Sequence, residues 1–190
     1  MMARRGAVMT DSGRDFQRPA DVNSVAYPHI VKREFAMRPI DTIVIHCSAT
    51  MEGRPFTVDD IDKMHRRLGW NGVGYHYVIK LDGTSQVGRQ MDTIGSHVQG
   101  HNSKSIGICY IGGIGANGKA KDTRTEAQKV TLQKLITELR IKYPAAKFVG
   151  HRDLSPDKDG DGVVEPHEWL KQCPCFDVRA WCKSVGIDPK

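Results

Sequence analysis

Short apolar runs separated by segments with helical spacing constrain the fold of this chain more than any other sequence feature. The runs are IDTIVIHC at residues 40–47, SIGICYI at residues 105–111 and KFVG at residues 147–150. β-branched runs of this length are typical of strands buried in the core of a sheet. Because these strands alternate with helices along the chain, we expect an α/β domain with one mostly central sheet.

Capping boxes mark the start of two helices. Thr57 is followed three residues later by Asp60, and Thr125 is followed by Gln128 at the same spacing. The second helix is the longest one predicted, and Pro144 ends it. A closing helix is expected from about residue 177 to about residue 185. The predicted buried side of the long helix consists of Val130, Leu132, Leu135, Ile136, Leu139 and Ile141.

A β-hairpin is predicted between the first helix and the second central strand. Residues 75–80 form its first strand, Asp82 and Gly83 form its turn, and residues 84–88 form its return strand. Gly107 lies inside the second central strand. A glycine at such a position indicates that another part of the chain approaches the backbone closely.

The chain of 190 residues is long enough for one well-buried domain and too short for two large ones. Residues 1–38 are polar and basic without a sustained period, so we expect an extended or partly disordered leader before a domain at residues 39–190. The net charge of +6 indicates an anionic partner, and charge alone does not choose among a nucleic acid, a membrane surface and a bacterial wall polymer. The basic residues of the leader are Arg4, Arg5, Arg14, Arg18, Lys32, Arg33 and Arg38.

Cysteine usage and hydropathy indicate where the chain is made. Five cysteines at irregular spacing argue against a disulfide framework and for a reducing compartment. The first residues lack the apolar core of a secretion signal, and no stretch approaches the roughly 18 apolar residues of a spanning helix. We therefore expect a protein that is cytoplasmic at synthesis and reaches any extracellular substrate by another route.

The run DKDGDGVVEPHE at residues 157–168 has the spacing of a calcium loop. It offers oxygen ligands at alternating positions, a glycine at the sixth position for a sharp turn and a glutamate at the twelfth. An acidic surface turn that binds no ion tightly is the alternative. The predicted calcium ligands are Asp157, Asp159, Asp161, Val163 through its backbone carbonyl, and Glu168.

A second set of metal ligands surrounds this loop. His151 precedes it and Cys173 follows it, and imidazole and thiolate select zinc rather than calcium. Two ligands do not complete a zinc site, so a third must come from elsewhere. His46, at the end of the first strand, is the best candidate, although a lone histidine or cysteine is usually structural.

Several spaced motifs resemble one known family. IHCSAT, GWNGVGYHYVIKLDGT, IGSHVQGHNSKSIGICYIGG, GHRD and LKQCPCFD together look like the type-2 N-acetylmuramoyl-L-alanine amidases, which include phage lysozymes of the T7 type and peptidoglycan recognition proteins. The resemblance covers about residues 39–184. It implies a mixed sheet flanked by helices, with a zinc site in a groove at the strand edges.

The resemblance also implies roles for individual residues. His46, His151 and Cys173 match the family's zinc ligands, while Tyr75 and Lys171 match its active-site tyrosine and lysine. Zinc activates water to attack the amide between N-acetylmuramic acid and L-alanine, and the tyrosine and the lysine assist.

Contacts with substrate are the next implication of the resemblance. His97 matches a residue that lines the family's substrate groove. Trp70 and Asn102 are further candidates for contacts with sugar or peptide, with simple packing as the alternative. The calcium-like loop is an insertion relative to the phage lysozymes, and we expect bound calcium to fold it into a rigid bracket before the last helix.

The expected function is therefore that of a zinc-dependent peptidoglycan amidase. We expect peptidoglycan and no specific nucleic acid as the partner. A phage or prophage endolysin that acts on the cell wall after release at lysis, as a monomer, is the favoured setting, and a bacterial wall enzyme is the second. A peptidoglycan-binding module without activity and a regulator of RNA polymerase are the other classes. Non-hydrolytic family members characteristically lack the cysteine ligand, so the presence of Cys173 favours the enzyme.

Overall fold

The structure is a computed structural model that describes residues 38–190. Its strands and helices alternate as the sequence predicts, and within these residues no helix is both long and apolar enough to cross a membrane. In chain order the elements are β1 (Thr42–Cys47), β2 (Thr50–Met51), α1 (Val58–Arg67), β3 (Tyr77–Ile79), β4 (Ser85–Val87), β5 (Ser105–Tyr110), β6 (Gly113–Ile114), α2 (Glu126–Lys142), β7 (Lys147–Gly150) and α3 (Val178–Ser184).

The central sheet has five strands in the order β4-β3-β5-β1-β7. β1 pairs in parallel with β5 on one side and with β7 on the other, and β3 is parallel to β5. β4 completes the predicted hairpin by pairing antiparallel to β3, and β2 and β6 form a separate parallel pair. The prediction of a single domain with a mixed sheet flanked by helices is confirmed.

Alternation along β1 decides which side of the sheet each side chain faces. Ile43 and Ile45 belong to the main core, which also contains side chains of α2 and α3. Val44 lies in a smaller cluster on the other side of the sheet, with Val98 and Val149. His46 is two residues after Val44, so its imidazole lies on the side of the sheet opposite to α2.

Both predicted capping boxes are present. The hydroxyl of Thr57 accepts from the backbone N–H of Asp60, and the Asp60 carboxylate accepts from the N–H of Thr57. Thr125 and Gln128 form the same pair at the start of α2. The Gln128 amide also donates to two carbonyl oxygens of the sheet side, so the cap attaches α2 to the sheet.

The predicted buried side of α2 is wrong at two positions. Val130 and Ile141 are 52% and 78% exposed, whereas Leu132, Ile136 and Leu139 are buried. Residues three or four apart share a helix face, and residues two apart do not. Val130 and Ile141 are each two residues from a buried leucine, so they lie off the buried face of α2. This face is therefore narrower than the distribution of hydrophobic residues in the sequence suggests.

The predicted leader lies outside the described residues, except for its last residue. The guanidinium of Arg38 donates to the carbonyl oxygens of Met91, Asn102, Ser103 and Ser105 at 2.9 to 3.3 Å. Arg38 is therefore attached to the segment that enters β5. The other basic residues of the leader, Arg4, Arg5, Arg14, Arg18, Lys32 and Arg33, are not among the described residues.

Candidate active site

Two parallel strands bring His46 and His151 together. His46 is the fifth residue of β1, and His151 directly follows β7. Ile45 is the register partner of Gly150, so the next residue of each strand lies at the same C-terminal edge of the sheet. The Nδ1 atoms of the two histidines are 3.1 Å apart, although 105 residues separate them in sequence. This edge is where ligands bind in α/β sheets.

Cys173 reaches the same edge on a loop attached to both strands. The backbone N–H of Arg152 donates to its carbonyl oxygen at 2.8 Å, and the N–H of Cys47 donates to its Sγ at 3.2 Å. These contacts place the Cys173 sulfur 3.8 Å from Nδ1 of His46. The three residues proposed as zinc ligands from the sequence therefore meet.

The spacing of the three donor atoms fits a zinc ion. Nδ1 of His46, Nδ1 of His151 and Sγ of Cys173 lie within 4.8 Å of one another. A tetrahedral zinc ion holds two imidazole nitrogens about 3.3 Å apart, and a nitrogen and a thiolate sulfur about 3.6 Å apart. The separations of 3.1 and 3.8 Å are close to both values. Two imidazoles and a thiolate are also ligands that zinc prefers.

Both histidines are neutral at pH 7. Burial lowers the pKa of His46 well below its usual value, and neighbouring imidazoles act in the same direction. Burial, followed by the positive charge of Lys171, lowers the pKa of His151 to about 4. A metal needs the lone pair of a neutral imidazole, so neither ring must lose a proton before it can bind an ion.

The imidazole of His97 lies behind His46. Its Nδ1 is 3.0 Å from Nε2 of His46, and its Nε2 is 3.3 Å from the hydroxyl of Ser105. His97 is 8% exposed and Ser105 is fully buried. Burial lowers the pKa of His97 to about 3, so this ring is neutral as well. No spacing in the sequence links these three residues, and the contact was not predicted.

Tyr75 packs against the imidazole of His46. Its ring centroid is 5.0 Å from that of His46 and 5.3 Å from that of His65. Burial raises the pKa of the Tyr75 hydroxyl well above its usual value, and the thiol of Cys109 acts in the same direction. The hydroxyl therefore remains protonated at neutral pH and can donate a hydrogen bond.

A cavity of about 490 Å³ opens beside the candidate metal centre. His151 forms part of its wall, and the exposed side chain of Lys171 forms another part. The cavity therefore joins one of the three metal-type ligands to the predicted catalytic lysine. The three residues with predicted substrate contacts, Trp70, His97 and Asn102, also line it.

These three lining residues differ in what they can offer a ligand. Trp70 is 41% exposed, and its ring packs against that of His65 at a tilt of 53°, with 4.7 Å between centroids. The side-chain oxygen of Asn102 accepts from the backbone N–H groups of His97 and Val98 at 2.8 and 2.9 Å. Asn102 thus holds the loop in place with its oxygen, whereas the Trp70 ring is open to a ligand.

The insertion at residues 157–168 folds around its own carboxylates. Asp157 accepts from the N–H groups of Gly160 and Gly162 at 2.7 and 2.8 Å. Gly162 has a φ of +88°, which glycine adopts most easily and which the sixth position of the calcium loop requires. The Glu168 side chain is fully buried and accepts from two backbone N–H groups of the insertion.

The carboxylates of the insertion form two overlapping groups. Oxygens of Asp157, Asp159 and Asp161 can lie within 4.8 Å of one another, and Asp159 also belongs to a group with Glu165, His167 and Glu168. Among the described residues, Oε2 of Glu165 is buried without a hydrogen-bond partner. Burial, and then the charge of Asp161, raise the pKa of Glu165. Val163 is 55% exposed, and its N–H donates to Asp161.

The residues that flank the insertion pack against each other beside His151. The hydroxyl of Ser155 accepts from the N–H of Leu170 at 3.1 Å, which joins the two ends. The guanidinium of Arg152, next to His151, lies 4.0 Å from the centroid of the Trp169 ring. Lys171 follows Leu170 in the chain and lines the cavity.

Comparisons with known proteins identify relatives of the chain. A sequence model of the family described as N-acetylmuramoyl-L-alanine amidase matches residues 36–174. The chain is 56% identical over 107 residues to an uncharacterised protein of Haemophilus influenzae, across 56% of this chain and 92% of that protein. It is 40% identical over 139 residues to the endolysin of Klebsiella phage KP32, across 73% of this chain and 83% of the endolysin.

A solved structure shares the fold. The structure of the N-acetylmuramoyl-L-alanine amidase LysC from Clostridium intestinale is similar, with a TM-score of 0.60 and 26% identity. The match covers 81% of this chain and 89% of that one.

Proposed function

The chain belongs to the N-acetylmuramoyl-L-alanine amidase family and has its enzyme activity, and we propose that the activity depends on zinc held by His46, His151 and Cys173. The observation that carries the proposal is the convergence of these three donors, at zinc-like spacing, beside a cavity. When bound, zinc supplies Lewis-acid chemistry, which polarises a carbonyl oxygen and lowers the pKa of water. Three protein ligands leave a position open, as in catalytic rather than structural sites.

Lys171 and Tyr75 provide charge and hydrogen bonds around the scissile amide. The Lys171 ammonium lines the cavity, where it stabilises negative charge that develops on the amide oxygen. Tyr75 keeps its hydroxyl proton beside His46 and donates to the attacking water or to the same oxygen. Tyr75→Phe is expected to retain zinc but to lower kcat, and an unchanged kcat in steady-state assays would remove Tyr75 from the mechanism.

The cavity binds the glycan–peptide junction of peptidoglycan. The exposed Trp70 ring offers an apolar face to a sugar or a stem peptide, while His97 and Asn102 shape the wall. Trp70→Ala is expected to raise KM more than it lowers kcat, because stacking stabilises the bound substrate and the transition state alike.

Product analysis tests the reaction. Purified peptidoglycan is incubated with the protein, and the new ends are identified by mass spectrometry. We expect free lactyl carboxyl groups on muramic acid and free amino groups on L-alanine, with both absent for metal-free protein and for Cys173→Ala. Binding to peptidoglycan without either product would identify a non-hydrolytic module instead.

An endolysin is the proposed biological setting, supported by the similarity to the endolysin of a Klebsiella phage. The enzyme then acts on the cell wall after release at lysis. Contact of the basic leader with anionic membranes or wall polymers stays a prediction. Deletion of residues 1–37, which keeps Arg38 and its contacts with the domain, separates wall affinity from catalysis when assayed on isolated peptidoglycan and on intact cells.

Calcium binding by the insertion is the second part of the proposal. Its support is the loop spacing, the positive φ of Gly162 and the buried, unpartnered oxygen of Glu165 among carboxylates. Hard cations prefer such oxygen ligands, and a bound cation would offset the repulsion between them.

Thermal unfolding tests the calcium site. Calcium at about 100 times its Kd stabilises a protein by about 2.7 kcal/mol, which raises the Tm of a chain of this size by roughly 5 to 10 °C. The variant Asp157→Asn with Glu168→Gln should show no such rise. An equal rise in the variant, or none in the wild-type protein, contradicts calcium binding at this loop.

A further inference from the structure

The polar atoms of His97 are directed into the protein rather than into the cavity. Nδ1 of His97 is 3.0 Å from Nε2 of His46, and Nε2 of His97 is 3.3 Å from the Ser105 hydroxyl. Both ring nitrogens therefore have partners, and Ser105 is fully buried. The ring can offer only its carbon edge to a substrate, so its nitrogens must serve another purpose.

The direction of these hydrogen bonds is set by the metal-facing side of His46. Nδ1 of His46 faces His151 and Cys173, so it needs its lone pair, and the ring proton must be on Nε2. That Nε2–H then donates to Nδ1 of His97. His97 must consequently carry its own proton on Nε2, which donates to the Ser105 hydroxyl. The opposite arrangement would put a proton on the atom that faces the other ligands.

Two glycines make room for the His97 ring. A Cβ added at Gly107 in β5 would lie 2.7 Å from Cδ2 of His97, and one added at Gly95 would lie 2.5 Å from the same atom. Both distances are too short for any real contact, so the ring fits only because these residues lack side chains. The close approach predicted for Gly107 is confirmed, and the group that approaches is His97.

We propose that His97 is a positioning residue that fixes the tautomer and orientation of His46 for metal binding, with Ser105 as the outer partner. The proposal rests on the zinc site of the proposed function. A hydrogen bond from the distal nitrogen of a histidine ligand commonly strengthens metal binding, and its loss lowers affinity by about 10- to 100-fold.

Two variants of nearly equal shape separate this role from simple packing. In His97→Asn, the side-chain oxygen occupies the place of Nδ1 and can still accept from His46. In His97→Leu, a side chain of similar size offers no acceptor. His101→Leu makes the same change on an exposed histidine of the same segment and serves as the control.

Metal affinity is the readout, measured by competition with a chromophoric chelator and by the absorption bands of bound Co²⁺. We expect His97→Leu to raise the Kd for Zn²⁺ about 10- to 100-fold and to change the Co²⁺ bands, with His97→Asn and His101→Leu within a few fold of wild type. Equal affinities in the leucine and asparagine variants overturn the proposal.

Ser105→Ala keeps the test decisive if the leucine variant fails to fold. Without its acceptor, the Nε2–H of His97 is unsatisfied in a buried site, and the Kd should rise by roughly 3- to 10-fold, about 1 kcal/mol in affinity terms. An unchanged Kd and unchanged Co²⁺ bands in Ser105→Ala contradict the role of the outer partner. Failure of the wild-type protein to bind Zn²⁺ is a different result, because it refutes the zinc dependence itself.

Discussion

The candidate zinc centre and the acidic insertion are both metal-type clusters, but they are built in opposite ways. The zinc-type donors are up to 127 residues apart in sequence; His46 and His151 lie at the ends of paired strands, and Cys173 reaches them on a loop. The carboxylates of the insertion come from one twelve-residue loop, and their hydrogen-bond partners are backbone N–H groups at most 10 residues away. One site depends on the sheet, and the other depends on a local turn.

This difference has an energetic consequence. Strand pairing and burial order the imidazoles before any ion arrives, and burial keeps them neutral, so they do not repel each other. The acidic side chains of the insertion lie close together, so a bound cation would offset the repulsion between like charges there. We expect the zinc site to be preformed and the insertion to gain order from its ion.

The largest effect is expected from Cys173→Ala, which removes one of the three proposed zinc ligands. We expect loss of bound zinc and a fall in kcat/KM of about 1000-fold or more, since metal catalysis contributes several kcal/mol. Cys175→Ala, two residues away, is the matched control and should keep its zinc. Metal content and peptidoglycan hydrolysis are measured together, and a zinc-loaded, active Cys173→Ala would refute the proposed ligand set.

Lys171→Met tests the residue that links the two regions. Losing a donor to a developing oxyanion typically lowers kcat by about 100- to 1000-fold, so we expect this loss with zinc content unchanged. Lys158→Met makes the same substitution inside the insertion and should be nearly silent. Comparable losses in both variants would show that charge anywhere in the insertion, rather than Lys171, supports turnover.

Removing two carboxylates of the insertion tests whether this loop supports catalysis without holding zinc. Asp157→Asn with Glu168→Gln should lower kcat by about 10-fold, because Lys171 follows the insertion and a small displacement of a catalytic group is costly. Zinc content should stay at the wild-type level, because none of the three proposed zinc ligands comes from the loop. If the wild-type protein keeps its full kcat after a chelator removes calcium, the coupling between the insertion and Lys171 is contradicted.

The smallest predicted effect concerns His76, which belongs to neither cluster. Burial and the nearby Arg38 guanidinium lower its pKa to about 4 in the folded protein. The unfolded chain then binds one more proton between pH 4 and 6.5, so the free energy of unfolding falls as the pH falls through this window.

Urea unfolding of metal-free protein at pH 6.5 and pH 5 measures the His76 effect. We expect a loss of about 2 kcal/mol from His76 alone, and His76→Asn should lose that much less than wild type. Identical pH dependence in both proteins would show that His76 does not titrate in this range. Buried imidazoles of the metal centre add to the slope in both proteins and cancel in the difference.

Local features were predictable from the sequence. The capping boxes at Thr57 and Thr125, the hairpin turn at Gly83 and the bounds of β7 match the structure, because each depends on hydrogen bonds or periodicity within a few residues. The calcium-type ligand spacing of the insertion could be recognised in the sequence for the same reason. Val130 and Ile141 were misassigned, because hydrophobicity alone does not tell which helix face meets the sheet.

The order of strands and helices, the caps and the ligand spacing of the insertion follow from the sequence alone, since short-range interactions set them. The meeting of His46, His151 and Cys173 was proposed from ligand type and family resemblance, and their distances depend on the folded chain. The contact of His97 with His46 was decided by the tertiary structure alone. The register between parallel strands depends on contacts across the whole chain, and so does the space that glycines leave for a buried ring. No local pattern encodes either one.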